Sequence, residues 1–237
     1  MKTKTIVFLV GGVCLLTVLI IVAFVLPVGQ ARETITQSVQ TTTEQTAQAA
    51  PEAMPTLEPH TGTITFPAAD GLTVTALLDW NGKSDAPMIL LFHQAESSSA
   101  EYLDIAAKLV AQGYNCLAVD QHSDGSNTGI ENRTYQAAKE KNLPTGYTDA
   151  YPDLEAALTY VEQELQAKQI IAWGSSYSAS LALILAAQHP DEISAVLAFS
   201  PGEYFKLDGK QVADYAKDIT QPAFITSADW EVKAWQG

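Results

Sequence analysis

The stretch that most constrains the fold is Gln169 to Pro190, because it turns a short strand into a helix through a very tight corner. It opens with the apolar run Ile170–Trp173, which is too short for a helix and β-branched at its start, so it predicts a buried strand. Residues 181–187 are rich in helix formers, and Pro190 ends that helix. Such a corner needs small side chains, and Gly174 supplies one of them.

Ser176 lies at the tip of this corner, within the sequence Gly174-Ser175-Ser176-Tyr177-Ser178. A serine held there exposes its hydroxyl above the sheet, and the first helical N–H groups point at the same space. This is the geometry of a serine nucleophile. The alternative is that Ser176 only caps a buried helix, since serine is favoured at that position.

Composition narrows the classes of function. The 237 residues carry a net charge of −14 without any basic cluster, so nucleic acid is not expected as a partner. Cys14 lies in the apolar N-terminal run and Cys116 in a later apolar segment, so no disulfide is expected between them. The four histidines form no H-x-x-x-H pair, and neither a metal nor another cofactor is indicated.

The N-terminal 28 residues predict a membrane anchor. Lys2 and Lys4 precede a nearly unbroken apolar segment from Thr5 to Val28, which is long enough to cross a bilayer as a helix. A cleaved signal peptide is the competing interpretation. The lysines place the N-terminus in the cytoplasm and the remainder outside. Residues 29–60, rich in Thr, Gln, Ala, Glu and Pro, predict a flexible stalk.

Residues 61–237 predict an α/β domain with a mostly parallel sheet and helices on both faces. Two alternating strands form a hairpin, and apolar strands then alternate with helices. The predicted strands are 63–66, 72–78, 87–92, 116–119, 170–173, 193–199 and 222–226. One predicted helix starts at 97–99 and ends at 113. The other predicted helices are 135–141, 151–166, the segment after Ser176, and 212–219.

Polar residues converge on the carboxyl edge of this sheet, where ligands of such folds bind. They follow five different strands: His93, Gln94, His122, Ser176, Ser200 and Asp229 to Glu231. The polar loop from Asp120 to Tyr147 follows one of these strands and is a candidate for shaping the pocket.

These residues resemble the α/β-hydrolase superfamily, and most closely its dienelactone-hydrolase-like members. The resemblance covers residues 61–237. It rests on four segments at strand ends: Leu91-Phe92-His93-Gln94-Ala95, Ala118-Val119-Asp120-Gln121, Gly174-Ser175-Ser176-Tyr177-Ser178 and Thr226-Ser227-Ala228-Asp229-Trp230-Glu231.

The resemblance implies a role for each site residue. Ser176 would attack an acyl carbonyl. The N–H of Tyr177, with that of Gln94 or Ala95, would form the oxyanion hole. Glu231 would be the acid that orients a histidine, with Asp229 in reserve. In the family's sheet order, His93 ends the strand next to that of Ser176, and His122 follows a strand two away from it. His93 would support the oxyanion loop and is a less favoured candidate for the base.

The sequence also departs from the family. Ser178 and Gln94 stand where glycine is common, and the family's catalytic histidine lies beyond an eighth strand, where none of the four histidines falls. We therefore expect little hydrolase activity from the chain as given, an incomplete carboxyl end, and an exposed edge at strand 222–226.

The sequence thus predicts a membrane-anchored, extracytoplasmic serine hydrolase acting on a small ester, lactone or thioester. The alternative is a catalytically inactive hydrolase-like binding domain or a truncated gene product.

Overall fold

Strands with continuous apolar sequence form the centre of the molecule. The structure, a computed structural model, describes residues 7–8, 58–123, 125 and 129–232. The strands are β1 (Val7–Phe8), β2 (His60–Pro67), β3 (Thr73–Trp80), β4 (Met88–Phe92), β5 (Asn115–Asp120), β6 (Ile170–Ser175), β7 (Ile193–Phe199), β8 (Lys206–Leu207), β9 (Lys210–Gln211) and β10 (Ala223–Thr226). Every residue of β4 and β5 is buried, because helices cover both faces of a mostly parallel sheet.

The main sheet has the order β1-β10-β7-β6-β4-β5-β3-β2. β2 and β3 form the predicted antiparallel hairpin, and β3 also pairs antiparallel with β5. All the other pairs of this sheet are parallel. β4 therefore lies between β5 and β6, so the loops that follow these three strands meet at one edge.

The helices are a 3-10 helix (Ser99–Tyr102), α1 (Leu103–Val110), α2 (Arg133–Glu140), α3 (Tyr151–Gln163), α4 (Tyr177–Gln188), α5 (Val212–Ala216) and α6 (Asp229–Val232). α4 is buried along nearly its whole length, because it packs against β6, β7 and α5. Its sequence of Ala, Leu and Ile, without any charge, fits that position. The helix that begins just after Ser176 is thus fixed in the core.

Several elements differ from the prediction. The helix expected from residues 97–99 begins as the 3-10 helix and continues as α1. Val110, which shares the spacing of the apolar face of this helix, is 37% exposed. α5 ends at Ala216 rather than at 219. The hairpin of β8 and β9 and the short helix α6 were not predicted. β2 begins at His60, the last residue of the predicted stalk.

The predicted membrane anchor and stalk lie outside the described residues, except for Val7, Phe8 and residues 58–60. Val7–Phe8 form an edge strand parallel to β10, whereas the sequence predicts a membrane helix for them. β10 consequently has a neighbour on the side where the sequence predicts an exposed edge. In the described part of the chain, no helix combines the length and apolarity that a membrane crossing requires.

Candidate active site

Ser176 occupies a strained corner between β6 and α4. Its backbone has φ 57° and ψ −124°, a conformation that non-glycine residues rarely adopt. Its side chain makes no hydrogen bond that caps α4, so the alternative of a simple capping serine does not fit. The Ser176 N–H donates instead to the Phe199 carbonyl at the end of β7, 2.8 Å away.

Gly174 is required by the closeness of strand and helix at this corner. A Cβ atom on Gly174 would lie 2.3 Å from the Ser178 carbonyl oxygen and 2.6 Å from the Ala179 Cα. Carbon atoms pack at about 3.5–4.0 Å, so any side chain would collide with the backbone of α4. The sequence prediction of a small residue here is therefore confirmed, and its reason is main-chain contact.

Ser178 joins the elbow to the neighbouring strand. Its buried Oγ lies 2.7 Å from the Phe92 carbonyl, 2.6 Å from the His93 carbonyl and 2.9 Å from the Ser175 carbonyl. It also accepts from the Ser175 N–H at 3.2 Å. The hydroxyl has one proton to share among the three carbonyls. The serine at this common glycine position thus fixes the elbow to the loop after β4.

The loop after β4 holds the predicted oxyanion donors. The Gln94 N–H donates to the Glu101 carboxylate at 2.8 Å, and the Gln94 carbonyl accepts from His93 Nδ1 at 2.7 Å. Both polar backbone groups of Gln94 are therefore engaged. By contrast, the Ala95 N–H donates no hydrogen bond to any residue that the structure describes. Of the two loop N–H groups that the sequence offers as oxyanion donors, the Ala95 N–H is the one without a hydrogen bond to the described residues.

Tyr177 is the first residue of α4, so its N–H lies at the helix N-terminus. Its buried ring stacks on Tyr147 with centroids 4.4 Å apart. Its hydroxyl forms a short hydrogen bond with Ser123 and accepts from Gln121 Nε2 at 3.3 Å. The loop after β5 therefore packs over the residue that follows Ser176.

Glu231 is linked to the corner at Ser176 by its hydrogen bond with Ser200. Its Oε2 accepts from the Ser200 hydroxyl at 2.6 Å and from the Ala228 N–H at 3.0 Å. Ser200 follows Phe199, whose carbonyl binds Ser176. Asp229 is exposed and makes no hydrogen bond to the described residues through its side chain. Of the two carboxylates proposed from the sequence, Glu231 is the better fixed.

His122 belongs to a separate buried group after β5. Its Nδ1 and its backbone N–H both bond Asp153 Oδ2 at 2.8 Å, and its Nε2 lies 3.9 Å from Asp70 Oδ2. Burial lowers the pKa of His122, but the hydrogen bond and charge of Asp153, with the charges of Asp70 and Asp149, outweigh it, so the pKa is raised. Burial also raises the pKa of Asp153.

This group is also the place where the described residues can gather ligands for a metal ion. Asp70, His122 and Asp153 each offer one ligand atom, all within 4.8 Å of one another. The Nδ1 contact uses only Oδ2 of Asp153, so the buried Asp153 Oδ1, the Nε2 of His122 and the Oδ2 of Asp70 have no other hydrogen-bond partner among the described residues. The contacts that the structure shows within the group are the His122–Asp153 hydrogen bond and the approach of Nε2 to Asp70.

The histidines of the described residues lie apart from the Ser176 hydroxyl, and none is hydrogen-bonded to it. Both ring nitrogens of His93 contact groups on the loops after β4 and β5, and burial lowers its pKa. His189 lies 3.8 Å from Glu155 at the far end of α4, and His60 begins the edge strand β2. β4 separates the strand before His122 from the strand before Ser176, as the sequence predicts.

Sequence reasoning missed three residues of this region. Glu101 binds the oxyanion loop, Asn132 donates to His93 Nε2 at 3.2 Å, and Asp153 binds His122. Asn132 caps α2 by accepting from the Tyr135 N–H, and an asparagine just before a helix is a pattern that could have identified it from the sequence. Asp153 lies in the first turn of α3, and no local pattern links it to His122.

Comparison with known proteins agrees with this architecture. Residues 83–229 match the family model described as serine aminopeptidase, S33. An esterase of Pyrococcus furiosus is 20% identical, with a TM-score of 0.54 over 75% of this chain and 77% of that one. For Est1E of Butyrivibrio proteoclasticus, the identity is 17% and the TM-score 0.52, over 71% and 78%.

A dienelactone hydrolase of Anabaena variabilis is 14% identical, with a TM-score of 0.53 over 75% of this chain and 77% of that one. At these identities the structural likeness establishes the fold. Curated protein sequences give no match to this chain. The family match spans well over half of the sequence, and the chain belongs to the serine aminopeptidase S33 family, with a dienelactone-hydrolase-like α/β-hydrolase fold.

Proposed function

We propose that this protein is a serine hydrolase that cleaves a small ester, lactone or thioester through an acyl-serine intermediate on Ser176. The observation that carries the proposal is the backbone of Ser176, with φ 57° and a side chain that does not cap α4. A residue strained in this way, with its hydroxyl unbonded among the described residues, is presented for reaction rather than for helix capping.

The chemistry follows from the groups around the corner. Ser176 Oγ forms a bond to the acyl carbon, and the carbonyl oxygen becomes an oxyanion. The N–H groups of Tyr177 and Ala95 stabilise that oxyanion, and one such donor lowers the barrier by about 3–4 kcal/mol. Ala95 is preferred to Gln94 because the Gln94 N–H already binds Glu101. The bond from the acyl carbon to the leaving oxygen or sulfur breaks, and that atom takes up the proton lost by Ser176 Oγ. Water then attacks the acyl-serine, which frees the acid and restores the Ser176 hydroxyl.

Glu231 is the proposed acid, whose role is to orient the histidine base. Its hydrogen bonds to Ser200 and Ala228 hold the carboxylate beside the elbow, which supports Glu231 over Asp229. His93, His122 and His189 contact other groups, and His60 lies on the edge strand β2, so the base remains unassigned. His93 stays a less favoured candidate because its ring is buried and hydrogen-bonded on both sides.

The test is covalent labelling with a fluorophosphonate, because labelling needs no turnover. Ser176 Oγ bonds to phosphorus, fluoride leaves, and the hydroxyl proton passes to solvent. We expect labelling of the unchanged protein and none of Ser176→Ala, whereas Ser194→Ala, an exposed serine on β7, should label normally. Labelling that persists in Ser176→Ala refutes the nucleophile. No labelling of the unchanged protein favours the alternative, a hydrolase-like domain that binds without catalysis.

We also propose that residues 5–28 anchor the protein in a membrane, with residues 29–60 as a stalk and the domain extracytoplasmic. The support is the uncharged apolar segment behind Lys2 and Lys4. The strand formed by Val7–Phe8 is the competing arrangement for those two residues. Membrane fractionation with N-terminal sequencing tests the proposal, and a soluble product beginning near Arg32 would indicate a cleaved signal instead.

A further inference from the structure

Glu101 hydrogen-bonds the predicted oxyanion loop instead of capping its own helix. Ser98 and Glu101 form an S-x-x-E pattern at the start of a helix, in which the glutamate ordinarily turns back to the serine N–H. Ser98 does cap the 3-10 helix, with its hydroxyl accepting from the Ala100 N–H. Glu101 instead accepts from the Gln94 N–H at 2.8 Å, outside its own helix. The carboxylate is therefore used to hold the loop rather than to cap the helix.

The turn that carries Glu101 is itself firmly anchored. The Ser99 N–H donates to Asp120 Oδ1 at 2.7 Å, at the end of β5. The Tyr102 hydroxyl donates to the Phe92 carbonyl at 2.7 Å, and its buried ring meets Trp173 edge-on. Residues on both sides of Glu101 are thus fixed to the central strands. The position of the carboxylate follows from these contacts before it meets Gln94.

The charge of Glu101 depends on burial and on its polar neighbours. Burial raises the pKa of Glu101 and outweighs the Gln94 N–H and the Ser175 hydroxyl, which lower it. Tyr102 is the titratable neighbour whose own pKa responds to the charge of Glu101. The geometric contact of this carboxylate with the oxyanion loop is its hydrogen bond from the Gln94 N–H.

We propose that Glu101 is a positioning residue for the hydrolysis proposed above, holding the Gln94 N–H so that the adjacent Ala95 N–H remains available to the oxyanion. The role rests on the proposed function of Ser176. Glu101 holds the His93–Gln94 peptide at the Gln94 N–H, and His93 holds the next peptide, Gln94–Ala95, at the Gln94 carbonyl. Loss of the Glu101 contact frees the first of these two peptides, so the backbone at Gln94 can turn and the Ala95 donor loses its fixed direction.

The experiment measures fluorophosphonate labelling as a maximal rate, kinact, and an apparent affinity, KI. Glu101→Ala removes the acceptor, whereas Glu101→Gln keeps an amide oxygen that can still accept from Gln94. We expect Glu101→Ala to lower kinact about 100-fold, the loss typical of one oxyanion donor, with KI changed less than about 3-fold. Glu101→Gln should recover most of the lost kinact. Glu96→Gln, on an exposed residue of the same loop, is the matched control and should be unchanged.

A second measurement covers the case in which Glu101→Ala folds poorly. In protein labelled with 15N-glutamine, the Gln94 amide proton should move upfield in Glu101→Gln, because a neutral acceptor makes a weaker hydrogen bond than a carboxylate. The same signal should not move in Glu96→Gln. An unmoved Gln94 amide in Glu101→Gln would show that the contact is not formed, and overturns the proposal.

The outcomes separate this role from the proposed function. If the unchanged protein gives no Ser176-dependent labelling, the proposed function fails and the role of Glu101 fails with it. If labelling depends on Ser176 but Glu101→Ala matches the unchanged protein in kinact, only the role of Glu101 is overturned. A fall in kinact accompanied by an equal loss for Glu101→Gln and by a lower melting temperature marks a general structural role, and also overturns the proposal.

Discussion

The hydroxyl of Ser178 offers a direct test of how the elbow is held. It is fully buried, and its Oγ lies 2.6–2.9 Å from the carbonyls of Phe92, His93 and Ser175. Ser178→Ala keeps the Cβ atom and removes only this group. The Phe92 carbonyl retains the Tyr102 hydroxyl as a donor, so the substitution leaves the His93 and Ser175 carbonyls with the larger loss.

The expected cost is that of one buried hydrogen-bonding group, about 1–3 kcal/mol. In a domain of this size each kcal/mol lowers the melting temperature by roughly 2–4 °C, so the shift should be about 2–12 °C. Thermal unfolding followed by circular dichroism measures it, with Ser194→Ala as the exposed control within about 0.5 kcal/mol. If Ser178→Ala melts with the control, the hydroxyl does not tie the elbow to β4, and the reasoning is wrong.

Two further predictions concern the corner and the buried histidine. Gly174→Ala places a Cβ 2.3 Å from the Ser178 carbonyl, so we expect destabilisation of about 3 kcal/mol or more by thermal unfolding; a change below about 1 kcal/mol would contradict the required close contact. Because the pKa of His122 is raised by Asp153, its stabilisation is complete below the ordinary value of about 6.5 and is lost as pH rises through the folded value. Unfolding free energies should therefore fall above about pH 6.5 by up to roughly 1.4 kcal/mol per pH unit, and His122→Asn should flatten this slope.

The sheet could be predicted because its strands have recognisable hydrophobic patterns in the sequence. The apolar runs of β4, β6 and β7 are buried on both faces, so continuous hydrophobicity indicated a parallel sheet without further information. The alternation in β2 and β3 likewise indicated a hairpin, which the structure confirms. The strand order, with β4 between β5 and β6, followed from the family pattern and is confirmed.

Elements set by tertiary contact could not be predicted in the same way. The turn at Ser99 has the sequence of an ordinary helix start, but it is a 3-10 helix whose Tyr102 binds the end of β4 and whose Glu101 binds the loop after it. The hairpin of β8 and β9 contains only two residues per strand, too few for a periodic pattern. Val110 has the right spacing for the core, yet it is the last residue of α1 and remains 37% exposed.

In the candidate site, too, residues could be predicted from the sequence while their contacts could not, and His93 is an example. The Gln121 backbone N–H donates to His93 Nε2 at 3.1 Å; because a backbone N–H can only donate, Nε2 must carry a lone pair. The proton then resides on Nδ1, which donates to the Gln94 carbonyl at 2.7 Å. Burial lowers the pKa of the ring and keeps it in this neutral form. A proton taken up from Ser176 would have to enter at Nε2, at the expense of the Gln121 contact, so the geometry commits His93 to holding the loop. A histidine at a strand end was visible in the sequence, but its tautomer depends on a backbone group 28 residues away.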